Sequence, residues 1–393
     1  MIKILKIQLK PNNKQQTKLF ESAGTARFTY NWVLDRQIEN YKSGGKFLSD
    51  SKLRKELTQL KRTSEYAWLN NYSNNITKQA IKDACDAYIK FIKKQCKHPR
   101  FKSRKKTKPS FYIDTDKIQF TATHIKLEKL TNSKKQNKQK LNWVRLCEKD
   151  RIPCDKDTKY INHRITFDGL NWWISVGIEY PNSQESPTGE GIGIDLGINK
   201  LAVLSEGTVY KNINKTSQVK KLEKRKKRLQ RQVSKKYENN KIETKGGEYR
   251  YYKTNNIKKL ETKLLKQNHR LTNVRQNYLH QTTTEIIKRK PSYIVVEDLN
   301  ISGMMKNRHL SKAIQQQSFY EFKRQLEYKS NWNNIEFIIA DRFYPSSKTC
   351  SECGAYKKDL KLSDRTYVCS ECGCIIDRDL NASINLKNYK EVV

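Results

Sequence analysis

The sequence has no long hydrophobic run, and cysteine is sparse in it. No segment approaches the ~18 consecutive apolar residues of a membrane-spanning helix, and the start, which alternates apolar and basic side chains, has no apolar signal-peptide core. Nine cysteines among 393 residues are too few for a disulfide scaffold. We therefore expect an intracellular protein with reduced thiols, located in the cytoplasm with the nucleoid and without a membrane partner.

Acidic residues are scarce beside basic ones. The chain has 80 Lys and Arg against 40 Asp and Glu, which gives a formal net charge of +40 at pH 7. Because a compact fold with this much self-repulsion is stabilised by a polyanion, nucleic acid is the expected partner. A basic soluble enzyme or a cationic secreted protein is the alternative. The length indicates two or three domains.

The first half of the sequence predicts a small β-barrel that is interrupted by helices. The start alternates as a strand does, and apolar residues at helical spacing follow. Short strand-like runs come next, and the clearest is a hairpin with its turn at Asp168 and Gly169. The predicted parts are a β-barrel at 1–13 and 98–181, a helical insert at 14–97 and a polar linker at 182–190.

The second half, residues 191–393, predicts a separate domain. It opens with two short strands joined by a tight turn. Two long helices, connected by a loop that contains Gly246 and Gly247, then form a basic helical hairpin at 214–290. From Val219 to Lys236, Glu223 is the only acid among ten Lys and Arg. Charge of one sign destabilises a helix unless an anion neutralises it. We expect this hairpin to contact nucleic acid; an exposed, solvated hairpin is the alternative.

Two basic segments supply the candidate nucleic-acid contacts. The first is a loop, His98–Tyr112, in which aromatic residues are interleaved with basic ones. This pattern suits phosphate contact combined with base stacking, although a solvated charge run is the alternative. The second is the basic helix of the hairpin. The predicted contacts are Arg100, Lys102, Arg104 and Lys105 in the loop and Lys221, Arg225 and Arg228 in the helix.

Four cysteines occur in two closely spaced pairs. Cys350 and Cys353 are separated by two residues, as are Cys369 and Cys372, and each pair is followed by glycine. Four thiolates with this spacing match one tetrahedral, structural Zn²⁺. Residues 345–375 therefore predict a zinc ribbon, which is too short to form a core without its metal. A redox-active pair is the weaker alternative, because two matched pairs are present.

Three acids that are far apart in the sequence each lie at or near the end of a predicted strand or helix. Asp195 lies in an apolar, glycine-rich strand, Glu297 ends a second apolar strand, and Asp379 begins the closing helix. A carboxylate in an apolar strand is costly unless cations or hydrogen bonds compensate it, whereas one at a helix start can be a simple cap. Together the three predict oxygen ligands for two hard divalent ions, Mg²⁺ or Mn²⁺. Phosphodiester hydrolysis uses such an ion pair.

These motifs together resemble the TnpB family of transposon-encoded RNA-guided DNA endonucleases, which is related to the compact type V CRISPR effectors. The most specific feature is the order of the three acids, with a zinc ribbon before the last, and the resemblance extends over nearly the whole chain. The matching segments are Gly193–Gly197, Val296–Leu299, Tyr344–Gly354, Cys369–Gly373, Asp377–Ala382, Arg27–Trp32, Pro99–Lys102 and Ser110–Phe111.

The resemblance implies a fold and an activity. Residues 191–393 would be an α/β nuclease domain with the RuvC-like RNase H fold and an inserted zinc ribbon, and Asp195, Glu297 and Asp379 would be its catalytic residues. The N-terminal β-barrel would be a wedge domain, and its helical insert a recognition domain. The expected activity is Mg²⁺-dependent cleavage of double-stranded DNA that is selected by pairing with a guide RNA from the transposon end.

Three alternatives stay open. The protein could be an RNA-guided DNA-binding regulator of transposition that does not cut. It could be a transposase of the RNase H fold, although such enzymes order their acids Asp, Asp, Glu, and this chain reads Asp, Glu, Asp. A zinc-ribbon nucleic-acid-binding protein would leave the three acids unexplained. The sequence contains no phosphate-binding loop of the Gly-x4-Gly-Lys-Ser/Thr type and no serine-hydrolase pattern.

Overall fold

A computed structural model describes residues 2–131, 140–155, 157–180, 186–244, 247–361 and 363–392. The chain divides into two compact units, Met1–Pro181 and Asn182–Val393. Of the predicted linker at 182–190, residues 182–185 lie outside the described part. None of the helices in the described segments combines the length and the apolar character needed to cross a membrane.

The described residues of the first unit form three α-helices and one antiparallel sheet of seven strands. Its elements are β1 (Ile2–Lys10), α1 (Asn13–Lys42), α2 (Asp50–Leu60), α3 (Asn74–Ile92), β2 (Ser110–Tyr112), β3 (Ile118–Phe120), β4 (His124–Leu127), β5 (Trp143–Leu146), β6 (Tyr160–Phe167) and β7 (Trp172–Glu179). The strands pair in the order β2-β6-β7-β1-β5-β4-β3. The first strand therefore lies in the middle of the sheet. It precedes the helices in the sequence and pairs with β5 and β7, which follow them. Closure of this sheet into a barrel stays a prediction.

The hairpin of β6 and β7 confirms the turn expected from the sequence. The backbone N–H groups of Leu170 and Asn171 both donate to Asp168 Oδ1 at 2.8 Å. Gly169 adopts a φ of +100°, a conformation that favours glycine. Alternate residues of β6 and β7 then join the main apolar core of this unit, as expected for a sheet with one buried face.

The second unit is built on a mixed sheet of five strands. Its elements are β8 (Ile192–Leu196), β9 (Lys200–Leu204), β10 (Val209–Lys211), α4 (Ser217–Glu238), β11 (Lys241–Glu243), β12 (Tyr249–Tyr251), α5 (Asn255–Lys288), β13 (Tyr293–Glu297), α6 (Ile301–Met304), α7 (Ser311–Gln317), α8 (Phe319–Trp332), β14 (Glu336–Ala340), β15 (Thr366–Val368), β16 (Ile375–Asp377) and α9 (Arg378–Val392). The sheet order is β10-β9-β8-β13-β14. Strands β8, β13 and β14 are parallel, and β9 is antiparallel to β8.

The far end of α4 and α5 differs from the prediction. The sequence indicated a loop containing Gly246 and Gly247 there, and Gly246 lies outside the described residues. The structure has a short β-hairpin, in which Lys241 pairs with Tyr251, and Gly247 adopts a φ of +76°. Alternating tyrosines favour strands, a local preference that the surrounding polar residues obscured.

Candidate active site and metal centre

Two acidic residues occupy the ends of neighbouring parallel strands in the second unit. Asp195 lies near the end of β8, and Glu297 is the last residue of β13. The register places Ile194 opposite Val296, so both carboxyl ends meet at one edge of the sheet. Glu297 also accepts a hydrogen bond from the backbone N–H of Leu196. The topology therefore brings two of the three predicted acids side by side.

The third acid reaches this edge on helix α9, which packs directly on β8. A side chain at Gly193 would not fit, since a Cβ there would lie 2.0 Å from the carbonyl oxygen of Ser383. This close approach brings the first turn of α9, which contains Asp379, to the strand ends. Asp377 caps the turn, because its Oδ1 accepts from the backbone N–H groups of Asp379 at 3.0 Å and Leu380 at 3.1 Å.

Burial and mutual repulsion raise the pKa values of the two strand acids. Burial is the largest cause of the raised pKa of Asp195, which lies well above the usual range of an aspartate. The charges of Glu297 and Asp379 raise that pKa further, whereas Arg378 lowers it. Burial likewise raises the pKa of Glu297 to about 7; the backbone hydrogen bond from Leu196 opposes the shift, and Asp379 adds to it. The three acids thus interact as one cluster of negative charge.

Two basic side chains contact acids at the rim of this cluster. Lys200 Nζ lies 3.0 Å from Asp377 Oδ2 and 3.7 Å from Asp379 Oδ2. Arg378 lies 3.2 Å from Asp379 Oδ1. Burial raises the pKa of Asp377, but the hydrogen bonds from Lys200 and from the backbone outweigh it and hold that pKa below the usual range. The side chain of Asp379 is 14% exposed, so the cluster is recessed but open to solvent.

The acid cluster fits hard divalent cations. Carboxylate oxygens are the ligands that Mg²⁺ takes, and the raised pKa values of Asp195 and Glu297 indicate that the protein alone does not stabilise their ionised forms. In the described part of the chain, these three acids do not form a group whose oxygens all lie within 4.8 Å of one another, as the four cysteine sulfurs do. Their effects on one another's pKa values, rather than a common ligand distance, show that the acids are neighbours.

The four predicted cysteine ligands come together in the second unit. Within the described segments, Cys350, Cys353, Cys369 and Cys372 form a group whose sulfur atoms all lie within 4.8 Å of one another. The Sγ–Sγ distance is 3.7 Å between Cys350 and Cys372 and 3.6 Å between Cys353 and Cys369. Thiolates ~2.3 Å from a tetrahedral Zn²⁺ lie about 3.8 Å apart. The cluster is therefore consistent with one structural zinc.

Local backbone geometry forms the two turns that hold the sulfurs. Gly354 and Gly373 follow the second cysteine of each pair and adopt φ values of +75° and +70°. The backbone N–H of Cys372 is the main cause that lowers the pKa of the Cys369 thiol, to about 6. At Cys372 a backbone hydrogen bond lowers the pKa, but side-chain hydrogen bonds from the other cysteines outweigh it and raise the pKa to about 12. Tyr367 is fully buried beside the cysteines in a small apolar cluster. A core this small leaves metal binding as the main source of the ribbon's folding free energy.

Two buried asparagines attach the ribbon to the helix that carries the third acid. Asn381 accepts from the backbone N–H of Ser351 at 2.9 Å and donates to the carbonyl of Thr349 at 2.7 Å. Asn385 donates to the carbonyls of Ser346 and Thr349, each at 2.7 Å. No sequence pattern assigned a role to either asparagine, although Asn381 lies two positions after the third acid. The ribbon and the start of α9 are thereby one connected piece.

The predicted contacts on α4 share one exposed face. Lys221, Arg225 and Arg228 are exposed and follow the i, i+4, i+7 spacing of a single helix face. Glu223 does not interrupt this face, because it pairs with Arg275 of α5 at 2.8 Å. The helix therefore presents a basic face to solvent.

In the basic loop of the first unit, Lys102 is held against α1. Asn31 donates through Nδ2 to the carbonyl of Lys102 at 2.9 Å and accepts from its N–H at 2.7 Å. Lys102 Nζ lies 3.4 Å from the centre of the Tyr30 ring, and burial lowers the pKa of this lysine. Lys102 thus packs against α1, and its contact with nucleic acid stays a prediction. The other predicted contacts in the loop are exposed, namely Arg100, Arg104 and Lys105.

Three family models match the sequence. The model described as "Cas12f1-like, TNB domain" matches residues 319–386, the one described as "Probable transposase" matches 174–308, and one described as "Helix-turn-helix domain" matches 1–46. The described part of the last match contains β1 and the single long helix α1. The first two matches contain the acid-bearing strands, the ribbon and the start of α9.

Similar proteins cover nearly the whole chain. InsQ of Escherichia coli (strain K12) is 29% identical over 401 residues, which is 98% of this chain and 91% of InsQ. A protein of Streptomyces pristinaespiralis is 29% identical over 382 residues, or 97% of this chain and 87% of that protein. Both bear the name RNA-guided DNA endonuclease. The fold is similar to Cas12f1 in a cryo-EM structure of its complex with sgRNA and target DNA, with a TM-score of 0.61 at 14% identity, over 96% of this chain and 83% of that one.

Proposed function

Because the chain belongs to the TnpB family, we propose that it is a transposon-encoded, RNA-guided DNA endonuclease. It would cut double-stranded DNA that matches its guide, by metal-dependent hydrolysis of phosphodiester bonds. The observation that carries this proposal is the recessed cluster of Asp195, Glu297 and Asp379, in which the first two acids have raised pKa values, in a chain of net charge +40. A protein that only binds nucleic acid has no need for buried acids that repel one another.

The domain assignment extends the same proposal. Residues 191–393 would be a RuvC-like nuclease domain of the RNase H fold, an assignment supported by acids on adjacent parallel strands of a mixed sheet and on the closing helix. The sheet formed by 1–13 and 98–181 would be the wedge barrel, with the helices of 14–97 as the recognition domain.

Asp195, Glu297 and Asp379 would hold two Mg²⁺ ions, for which Mn²⁺ could substitute. Such ions lower the pKa of the attacking water and stabilise the leaving oxygen. The side chains of the protein would hold the metal ligands in place. Lys200 binds Asp377 and so fixes the cap of α9, while Glu297, whose pKa is about 7, gives up its proton near neutral pH to become a ligand.

Guide RNA and target DNA would lie on the basic surfaces. The guide would come from the transposon end, and base pairing would select the target, while lysines and arginines contact phosphates. The two relatives named RNA-guided DNA endonucleases, and the complex of Cas12f1 with sgRNA and target DNA, support an RNA and a DNA partner.

The proposal is tested with the full chain and the RNA that co-purifies with it. After that RNA is sequenced, we expect cleavage of a DNA duplex that carries the matching sequence and its natural flank, in the presence of Mg²⁺. Omitting the RNA, or scrambling the matched sequence, should abolish cleavage. Cleavage that is independent of RNA would favour a transposase, and RNA-dependent binding without cleavage would favour a regulator; either result would overturn the proposal.

The basic face of α4 gives a separate prediction. Replacing Lys221, Arg225 and Arg228 by alanine should weaken nucleic-acid binding and reduce the slope of log K against log salt by roughly 2–3, because each lost phosphate contact removes about 0.7–0.9. The control exchanges Lys and Arg at the same three positions, which preserves the charge and should preserve the slope. An unchanged slope in the alanine variant would remove this face from the binding surface.

A further inference from the structure

Phe343 is an exposed aromatic residue at the same sheet edge as the acids. Its side chain is 87% exposed, the largest fraction among the exposed large hydrophobic side chains of the described residues. It lies three positions after β14, which runs parallel to β13 with Ala340 opposite Glu297. Since parallel strands end at one edge, the chain leaves β14 beside the acid cluster. A single exposed apolar residue is ordinary. A functional role for Phe343 therefore has to be argued from its place beside the acids and from the contacts that hold its loop.

The loop that carries Phe343 is fixed to two of the three elements that present acids. Arg342 donates to Asp298, the residue after Glu297, through Nε at 3.1 Å and through a second nitrogen. The backbone N–H of Asp341 donates to the Tyr389 hydroxyl of α9 at 3.2 Å. The loop is thereby held to the end of β13 on one side and to the helix that contains Asp379 on the other.

Further contacts fix the backbone around the ring itself. The N–H of Phe343 donates to Asp341 Oδ1 at 2.8 Å. The next residue, Tyr344, turns inward: its hydroxyl donates to the carbonyl of Asn385 at 3.1 Å, and its ring packs on that of Tyr389 with 4.8 Å between centroids. One aromatic neighbour is therefore used to hold the loop, and the other is left facing solvent on a rigid support.

We propose that Phe343 is a stacking residue that positions the DNA strand to be cut, by covering the face of one unpaired base next to the scissile phosphate. Only an unpaired base offers its face, and stacking on an aromatic ring is a common way for proteins to hold single strands. Arg342, half exposed beside it, is paired with Asp298 and so anchors the loop that carries the ring. The inference deepens the proposed function and rests on it.

A scan with abasic nucleotides tests the inference. In the wild type, loss of the base that stacks on Phe343 should slow cleavage about tenfold at one position close to the cut, with little effect at other positions. Phe343→Ala should cut the intact substrate about tenfold more slowly, and the abasic position should then have no further effect. Phe343→Trp should restore both the rate and the sensitivity to that position. A merely structural role would leave the abasic profile unchanged.

Tyr252→Ala is the matched control. Tyr252 is 65% exposed in the same unit but lies at the other end of the long helices α4 and α5, so its loss should leave the abasic profile as in the wild type. A Phe343→Ala variant with the wild-type rate or the wild-type profile would overturn the inference while leaving RNA-guided cleavage intact.

A measurement of fluorescence on DNA binding tests the stacking role of Phe343 independently of cleavage. In an Asp195→Asn background, 2-aminopurine at the sensitive position should lose fluorescence on binding, and Phe343→Ala should abolish this quenching. If no cleavage occurs with any metal, the proposed function fails, and a scan of 2-aminopurine positions still tests the stack. Quenching that is equal with and without Phe343 would refute it.

Discussion

Asp195→Asn should abolish DNA cleavage, by at least about 10³-fold, and leave binding of RNA and DNA intact. Asparagine keeps the shape of the side chain but supplies a weaker, neutral ligand, so the ion pair loses charge stabilisation worth several kcal/mol. Cleavage rates under single-turnover conditions and a binding assay in the same buffer separate the two effects. Undiminished cleavage by this variant would end the proposed mechanism.

When no metal is bound, the buried acids should lower the free energy of unfolding, and the Glu297→Gln variant measures by how much. Burial raises the pKa of Glu297 from 4.5 to about 7, so the folded protein holds the proton more tightly than the unfolded chain does. The stabilising effect of this proton is complete below pH 4.5 and is lost as the pH rises through about 7. At 1.36 kcal/mol per pKa unit, the glutamine variant should gain roughly 2–3 kcal/mol at neutral pH.

Thermal unfolding in a chelator, at pH 5 and at pH 8, checks this expectation. The stabilisation by Glu297→Gln should appear at pH 8 and be small at pH 5, and Mg²⁺ should raise the Tm of the wild type more than that of the variant. Asp298→Asn is the matched control, because Asp298 pairs with Arg342 and Lys323, and hydrogen bonding to Arg342 lowers its pKa. Its loss should destabilise the protein slightly and preserve the response to Mg²⁺. A Glu297→Gln variant less stable than the wild type at pH 8 would contradict the cluster electrostatics.

The sequence contained enough to group the three acids but not to explain how they meet. Asp195 and Glu297 could be chosen because a carboxylate at the end of an apolar strand is rare without a purpose. The close approach of α9 depends on Gly193, which lacks the Cβ that would strike Ser383. That contact is tertiary, and no local pattern indicates it. The catalytic role of the acids stays a prediction.

The strand and the short helices between the second acid and the ribbon were missed for a related reason. Strand β14 and the helices α6 and α7 are short, and short segments carry little periodicity. The long helices α1, α4 and α5 agree with the helices that the sequence predicts. In the basic loop, Lys102 was predicted to contact phosphate because it is a lysine among other basic residues. Only the fold shows that Lys102 packs against Tyr30 and bonds Asn31.

Loss of zinc should disable cleavage through the position of the third acid. Cys369→Ser removes one of four thiolates, and structural zinc supplies about 10–16 kcal/mol to small domains that lack a core of their own. We expect the zinc content to fall from about one per chain, the ribbon to lose its order, and cleavage to fall by at least about 10²-fold, as 1 Å errors in geometry do. Elemental analysis, and the spectrum of the Co²⁺-substituted protein, measure the metal directly.

Two variants separate the metal from the connection that it supports. Cys374→Ser changes a thiol next to the cluster but outside the group of four ligands, so it should keep both zinc and cleavage. Asn381→Ala removes the buried hydrogen bonds to Ser351 and Thr349 without touching a ligand, so it should keep zinc and still lose cleavage. If Asn381→Ala cuts at the wild-type rate while Cys369→Ser does not, the ribbon acts by some route other than holding the start of α9. If a zinc-free protein cuts normally, the ribbon plays no part in placing Asp379.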